Sequence, residues 1–166
     1  RVYVVMNDYQ HYSVADFDQY NCLKVSKSFY FALLFILRGY LVWLMSVTNM
    51  RDRVSIIEWV YPETSLFFIS LLSGCLGLFV VVLLSLRRPN AAAWVQVSWP
   101  YCRAFIIIAL LFDLAVNMLG YFYWHLLSIT WLVSQSVIAC LLITLCCKSK
   151  RLTINLREFP ELIIKE

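Results

Sequence analysis

The sequence predicts an all-α polytopic membrane protein, with four transmembrane helices in an antiparallel bundle and a short interfacial helix between the first two spans. Of its 166 residues, 62% are hydrophobic and only 14% are charged, and the mean hydropathy is +0.75. Soluble proteins are about 45–50% apolar and about 25% charged. Four apolar windows reach the roughly 20 residues that a spanning helix needs, and none alternates as a barrel strand would. The windows are residues 28–49, 66–86, 104–124 and 126–147.

The first window carries one full charge, Arg38, at its middle. A charged side chain at the bilayer centre costs a few kcal/mol or more, so Arg38 must be neutralised, hydrated or paired there. The window is too long for the apolar region of a signal peptide, and no small-residue cleavage site follows it. We therefore expect it to remain as a membrane anchor, preceded by a polar and aromatic cytoplasmic tail at residues 1–27.

The second span is predicted to pack closely along a face of small residues. Ser70 and Gly74 lie four positions apart, as do Ser73 and Gly77. Such spacing allows two helix backbones to approach closely in lipid. The partner is expected to be another helix of the same chain, with a homodimer contact as the alternative. Before this span, residues 50–65 combine apolar, aromatic and charged side chains and predict the short helix at the membrane interface.

The loop at residues 87–103 is basic, with three arginines and no acid. Its aromatic residues are predicted to form an interfacial belt at headgroup level, and they are Trp94, Trp99 and Tyr101. A nucleic-acid site would need a broad basic face. Three arginines beside membrane tryptophans fit lipid headgroups better, so no nucleic-acid partner is expected.

The third span carries the second intramembrane charge, Asp113, with Asn117 on the same helix face. Because Asp113 and Arg38 fall at similar depths of their spans, we predict that they pair. Asn117, and Gln135 of the fourth span, are expected to supply further hydrogen bonds. Three interpretations remain open: a lock that fixes helix register, an ion, proton or ligand site, and a charge that pairs with a separate protein.

The last part of the chain is predicted to be a cytoplasmic tail, residues 148–166. Leu152, Ile154 and Leu156 alternate with polar residues, which suggests a short amphipathic strand or a surface segment. The six cysteines form no C-x-x-C pair and lie near no histidine cluster, so we expect free thiols and no metal site. Cys146–Cys147 lies at a membrane edge, where reversible acylation is the alternative.

The distribution of basic residues predicts the orientation. Apart from Arg38, the two tails and the second loop together hold eleven Lys and Arg residues, whereas the first and third loops hold two. Short cytoplasmic segments are enriched in Lys and Arg. Both termini are therefore expected in the cytoplasm, with the basic flanks against the anionic inner leaflet.

Several short motifs carry a family resemblance. They are Tyr20–Lys24 (YNCLK), Arg38, Tyr61-Pro62, Arg87-Arg88-Pro89, Trp94, Arg103 and Asp113. On these residues, over about 16–147, the chain resembles the YfeZ-like inner-membrane family of proteobacteria, a domain of unknown function. Val25-Ser26 departs from it, since a proline is expected there in much of the family. The resemblance implies the inner membrane of a Gram-negative bacterium and implies no activity.

The leading functional hypothesis is a small non-enzymatic membrane protein, namely a subunit, scaffold or accessory factor of an inner-membrane complex. The spans contain no nucleophile–base set, so no catalytic residue and no cofactor are expected. The expected partners are membrane lipids, with a protein partner or a homo-oligomer in the membrane. The alternative is a small transporter or channel-like subunit that uses the Arg38–Asp113 pair. It has less support because the sequence gives no sign of an inverted repeat or a broken helix.

Overall fold

The structure is a computed structural model that describes most of the chain. The described residues are 12–13, 16–18, 20, 22–48, 61, 64–122 and 127–160, with the side chains of 64 and 66 left out. The predicted interfacial helix at 50–65 lies almost entirely outside them, as do residues 161–166 of the predicted tail.

The regular secondary structure of the described residues is helical, as predicted. The helices are α1 (Lys27–Ile36), α2 (Arg38–Thr48), α3 (Thr64–Leu86), α4 (Ala93–Ser98), a 3-10 turn (Trp99–Tyr101), α5 (Cys102–Phe122), α6 (Ile129–Lys148) and α7 (Lys150–Arg157). Three helical stretches are long and apolar enough to cross a membrane: Phe67–Leu86, Ala93–Phe122 and Ile129–Lys148. A fourth is present if α1 and α2 count as one bent span.

The helices pack around a core to which α1 is central. Helix α1 contacts α3, α5 and α6, while α3 packs on α5 and α5 packs on α6. The buried side chains of α5 recur every three or four residues, so one face of that helix is turned inward. The core includes Phe29, Ile36, Val80, Ile106 and Leu142. In contrast, α2 packs against α3 and the end of α1.

Helices α1 and α2 meet at a bend of 60°, a helix break that no pattern in the sequence indicates. The bend lies at Leu37, whose ψ of 3° is far from the helical value near −42°. Gly39 follows two residues later, and glycine is a poor helix former. A Cβ at Gly39 would lie 2.9 Å from Oγ of Ser70. Glycine thus lets the chain pass close to α3 just after the bend.

The third span begins earlier than predicted. The helical stretch runs from Ala93 through the 3-10 turn to Phe122, 30 residues in all, where the sequence suggested a loop up to residue 103. Within it, Trp94 and Tyr101 are exposed, but Trp99 is 1% exposed. The prediction that Trp99 belongs to an interfacial belt is therefore wrong, because its indole packs in the core.

The two ends of the described chain meet residues 87–101 at one end of the bundle. We call the described residues between 16 and 26, residues 87–101 and residues 149–158 the terminal cap. Leu23 and Asn155 are fully buried there, and Nδ2 of Asn155 donates to the Leu23 carbonyl. The Leu23 N–H donates to Oε2 of Glu158 at 3.0 Å. Hydrogen bonds thus join segments that the sequence analysis treated as two separate tails.

The C-terminal part of the cap is the helix α7, which corrects the prediction of a strand or surface segment. Oγ of Ser149 accepts from the N–H of Leu152 at 3.2 Å and caps the helix. The buried residues Leu152, Asn155 and Leu156 are spaced by three and one, which fits one face of a helix. The alternation that suggested a strand arises because Ile154 lies beside this face rather than at its centre.

Candidate functional site

The structure brings Arg38 and Asp113 into direct contact. Arg38 is the first residue of α2, directly after the bend, and Asp113 lies in the middle of α5. Nη2 of Arg38 lies 2.9 Å from Oδ1 and 3.0 Å from Oδ2 of Asp113. Their side chains are 19% and 7% exposed. The two charges predicted at similar depth therefore form a largely buried ion pair.

The Arg38 guanidinium also interacts with the helix break itself. Its Nη1 donates to the Phe35 carbonyl at 3.2 Å, and its Cζ lies 4.4 Å from the centre of the Phe35 ring. Backbone groups freed at a break inside a membrane need such side-chain partners. The same cation therefore neutralises Asp113 and binds a carbonyl beside the bend.

Asn117 completes the network on the α5 side. Its Nδ2 donates to the Asp113 carbonyl at 2.8 Å and approaches Oδ2 at 3.3 Å. Asn117 and Arg38 therefore both donate to Oδ2 of the carboxylate. Gln135 is also buried, but its Oε1 has no hydrogen-bond partner among the described residues. Of the two supporting residues predicted, Asn117 binds the pair, whereas no hydrogen bond places Gln135 in it.

The glycines of the predicted packing face lie against the bent span. A Cβ at Gly74 would come within 2.6 Å of Cε2 of Tyr40. A Cβ at Gly77 would lie 2.9 Å from Cγ2 of Ile36. The two positions therefore contact both sides of the bend, α2 at Gly74 and α1 at Gly77. The face is occupied by another helix of the same chain.

The two serines of that face make polar contacts. Oγ of Ser70 and the hydroxyl of Tyr61 are 2.8 Å apart, and Ser70 also lies against Gly39. Ser73 donates to the Ala109 carbonyl of α5 at 3.3 Å. Helix α3 therefore contacts α2 through one serine and α5 through the other, and it lies between the two helices that carry the charged pair.

The chemistry available at this site is that of a satisfied ion pair. Both Asp113 oxygens and two Arg38 nitrogens have partners within the chain. Across the described residues, no group of three His, Cys, Asp or Glu side chains is placed to hold a metal ion. The six cysteines are free thiols in the structure, and of the adjacent pair Cys146 is buried and Cys147 is exposed.

Sequence reasoning missed the polar contacts of the terminal cap. The Arg87 guanidinium stacks on the Trp99 ring, with Cζ 4.5 Å from its centre, and Nη2 donates to the Glu158 carbonyl at 3.2 Å. Burial lowers the pKa of Arg87. Nε1 of Trp99 donates to the Asn155 carbonyl at 3.2 Å. The sequence pattern places Arg87 at the lipid headgroups. Basic residues that end an apolar span contain no information about a hydrogen bond to a residue 71 positions away.

A family model with the description "Protein of unknown function (DUF2919)" matches residues 12–158. The match contains the charged pair, the bend and both ends of the terminal cap. It ends at Glu158, whose carboxylate and carbonyl bind Leu23 and Arg87. It therefore extends beyond the resemblance drawn from the short motifs and includes α7. Comparison with the curated proteins and with the solved structures gives no match.

Proposed function

The chain belongs to the family described as "Protein of unknown function (DUF2919)", and we propose that it is a small non-enzymatic membrane protein, a subunit, scaffold or accessory factor of an inner-membrane complex. The observation that carries this proposal is the satisfied Arg38–Asp113 pair at a helix break. The pair fixes the direction in which the second half of the first span leaves the bundle.

A structural role for the pair is supported by its hydrogen bonds. A proton carrier or ligand site needs polar atoms that are free to exchange partners. Here Arg38 binds Asp113 and the Phe35 carbonyl at once, and Asn117 adds a donor to the Oδ2 that Arg38 also binds. Removing one member of such a pair strands the other, so the pair resists rearrangement.

The helix that this pair directs has an outward apolar surface suited to a partner. Only Gly39 and Ser46 of the eleven residues of α2 are buried. The exposed large side chains are Leu41, Trp43, Leu44, Met45 and Val47. Helix α2 rests on α3 and α1, so this surface faces either lipid or another protein. Trp and Met are enriched in protein interfaces, which favours a membrane partner or a second copy.

The location and orientation are part of the same proposal. We place the protein in the bacterial inner membrane, as a YfeZ-like member of a proteobacterial family, with four antiparallel spans and both termini cytoplasmic. The eleven-to-two distribution of basic residues supports this orientation. The terminal cap supports a common side for the two tails and the second loop, because it joins the N-terminal segment, residues 87–101 and α7 at one end of the bundle.

Affinity purification in a mild detergent with mass spectrometry tests the proposal. We expect a membrane protein, or a second copy, to purify stoichiometrically with the wild type. Replacing Trp43 and Leu44 with alanine should release it. The matched control replaces Val137 and Leu141, which are equally exposed on α6. Recovery of the monomer alone from wild-type membranes would refute the proposal, as would equal loss of the partner with both variants.

The helix break supports a second candidate, a small transporter or channel-like subunit. Transporter sites are typically built from discontinuous helices near mid-membrane. Here a break adjoins a charged pair, and the buried Oε1 of Gln135 has no partner among the described residues. Flux in liposomes that is lost in the Arg38→Leu and Asp113→Leu double variant, with folding retained, would favour this candidate over the first.

A further inference from the structure

Two adjoining cavities lie where α1 and α3 meet the terminal cap. One is an apolar groove of about 740 Å³ between the two helices, lined by side chains such as Phe31, Leu34 and Val81. The other is a polar cavity of about 550 Å³ in the cap, which we call the basic cavity. The two share Lys27, Tyr30 and Leu84 in their walls. The apolar space therefore continues directly into the polar one.

The basic cavity carries an excess of positive charge. Its basic side chains are Lys24, Lys27, Arg87 and Arg151, and its acids are Asp16 and Asp18. Four cations against two carboxylates leave a formal charge of +2.

Most of the charged groups in this wall are held by the protein. Arg151 pairs with Asp16 at 3.0 Å, and Arg87 is fixed on Trp99. Lys27 is exposed and has no ion pair among the described residues, so its ammonium group is available at the junction of the two cavities. Such a cavity is complementary to a phosphate group.

The apolar groove has the depth of one membrane leaflet. It extends along α1 from Lys27 to Leu37, ten residue steps that correspond to about 15 Å at the helical rise. The hydrocarbon core of a bilayer is about 30 Å thick, so one leaflet is about 15 Å. At the shared wall, Tyr30 is exposed. A tyrosine with an apolar ring and a polar hydroxyl suits the boundary between acyl chain and headgroup.

We propose that these two cavities form a binding site for one anionic glycerophospholipid. Its phosphate lies in the basic cavity beside Lys24 and Lys27, and one acyl chain lies in the apolar groove between α1 and α3. The basic cavity distinguishes this groove from the lipid-facing surface of α6, whose exposed side chains, such as Val137 and Leu141, are apolar. The site would select a lipid by charge, because a zwitterionic headgroup gains little from an excess of cations.

Native mass spectrometry of the full chain in detergent, titrated with phosphatidylglycerol, tests this site. The test variant combines Lys24→Gln and Lys27→Gln, which leaves Arg87 and Arg151 to hold the cap. The matched control combines Lys148→Gln and Lys150→Gln, which lie outside the basic cavity. Each basic residue near a lipid surface is worth about 1 kcal/mol. We expect the test variant to bind phosphatidylglycerol about thirtyfold more weakly and the control to bind it as the wild type does.

A second variant tests the groove without touching the charges. Leu34→Trp should fill the apolar groove and weaken phosphatidylglycerol binding at least tenfold, whereas Val137→Trp on α6 should not. Phosphatidylcholine should bind weakly to all variants, and soluble glycerol phosphate should not compete.

Three results would overturn the assignment. They are equal binding of phosphatidylcholine and phosphatidylglycerol, full competition by glycerol phosphate, and unchanged phosphatidylglycerol binding in either test variant. If the Lys24 and Lys27 variant fails to fold, the Leu34→Trp and Val137→Trp comparison decides alone.

Discussion

Removing either member of the Arg38–Asp113 pair should destabilise the protein strongly. Removing both should cost far less than the sum of the two single losses. Arg38→Leu leaves a carboxyl group at mid-bundle, and Asp113→Leu leaves a guanidinium there. Breaking a buried pair typically costs about 3–5 kcal/mol, because the remaining charge is stranded. Arg38→Leu should be the milder change, since a stranded carboxyl can take up a proton, whereas a guanidinium cannot lose one.

The double variant should recover only in part, because Arg38 has a second partner. Replacing both charges can be nearly neutral for the pair itself. The hydrogen bond from Nη1 to the Phe35 carbonyl is lost as well, and a hydrogen bond to a charged group is worth about 1.5–3 kcal/mol. We therefore expect the double variant to lose about 2 kcal/mol, against a sum of about 6–10 kcal/mol for the single variants.

The free energy of unfolding in mixed detergent micelles measures this cycle. A control cycle combines Arg38→Leu with Ser149→Ala. The second change removes the N-cap hydrogen bond of α7, which lies in the terminal cap and away from the pair. The stability changes caused by substitutions at distant sites add within about 0.5 kcal/mol, so this control cycle should show no coupling. Losses that add for Arg38 and Asp113 would refute the argument, since they would mean that the two side chains do not interact.

Three further predictions concern orientation, packing and pH. A reporter active only in the cytoplasm should work when fused at Asn90 and fail at Asp52, and activity at Asp52 would reverse the orientation. Gly74→Ile should cost about 1–3 kcal/mol in the same unfolding assay because its Cβ would meet an aromatic ring of α2, whereas Leu72→Ile at an exposed position of α3 should cost far less. The hydrogen bond from the N–H of Ser13 is the main cause that lowers the pKa of Asp16 below 3.8, and the guanidinium of Arg151 lowers it further. The Asp16 carboxylate therefore stabilises the terminal cap above pH 3.8, and this contribution is lost as the pH falls through the lowered pKa of Asp16. Pepsin should cut the N-terminal segment faster once the pH is below that pKa. Asp16→Asn should remove this pH dependence.

The charged pair and the small-residue face could be predicted because each depends on a local pattern. A single charge within an apolar window lies at a depth that the window itself gives. Opposite charges at similar depths in two such windows predict an ion pair. Small residues four apart define a helix face whatever they pack against. Arg38, Asp113, Ser70 and Gly74 could thus be selected from spacing alone.

The bend and the terminal cap could not be predicted in this way. No proline marks Leu37, and the single glycine at Gly39 is not enough to indicate a break. The cap depends on contacts between Leu23 and Asn155, which are 132 residues apart and which no periodicity connects. One signal was available at the C-terminal end: Ser149 is a good N-cap residue, and reading it as a helix start would have favoured helix over strand.

The buried contact between Leu23 and Asn155 sets an order of events during synthesis. At about 5–20 residues per second, the 132 residues from Lys24 through Asn155 take roughly 7–26 s to translate. For most of that time α1 and α2 have been synthesised while the segment that covers Leu23 does not yet exist. A chain that stops after Cys147 would contain each apolar stretch described above and would still leave Leu23 and Trp99 uncovered. Closing of the cap therefore distinguishes chains that include α7 from chains that end before it, in which Leu23 and Trp99 would stay accessible to membrane proteases.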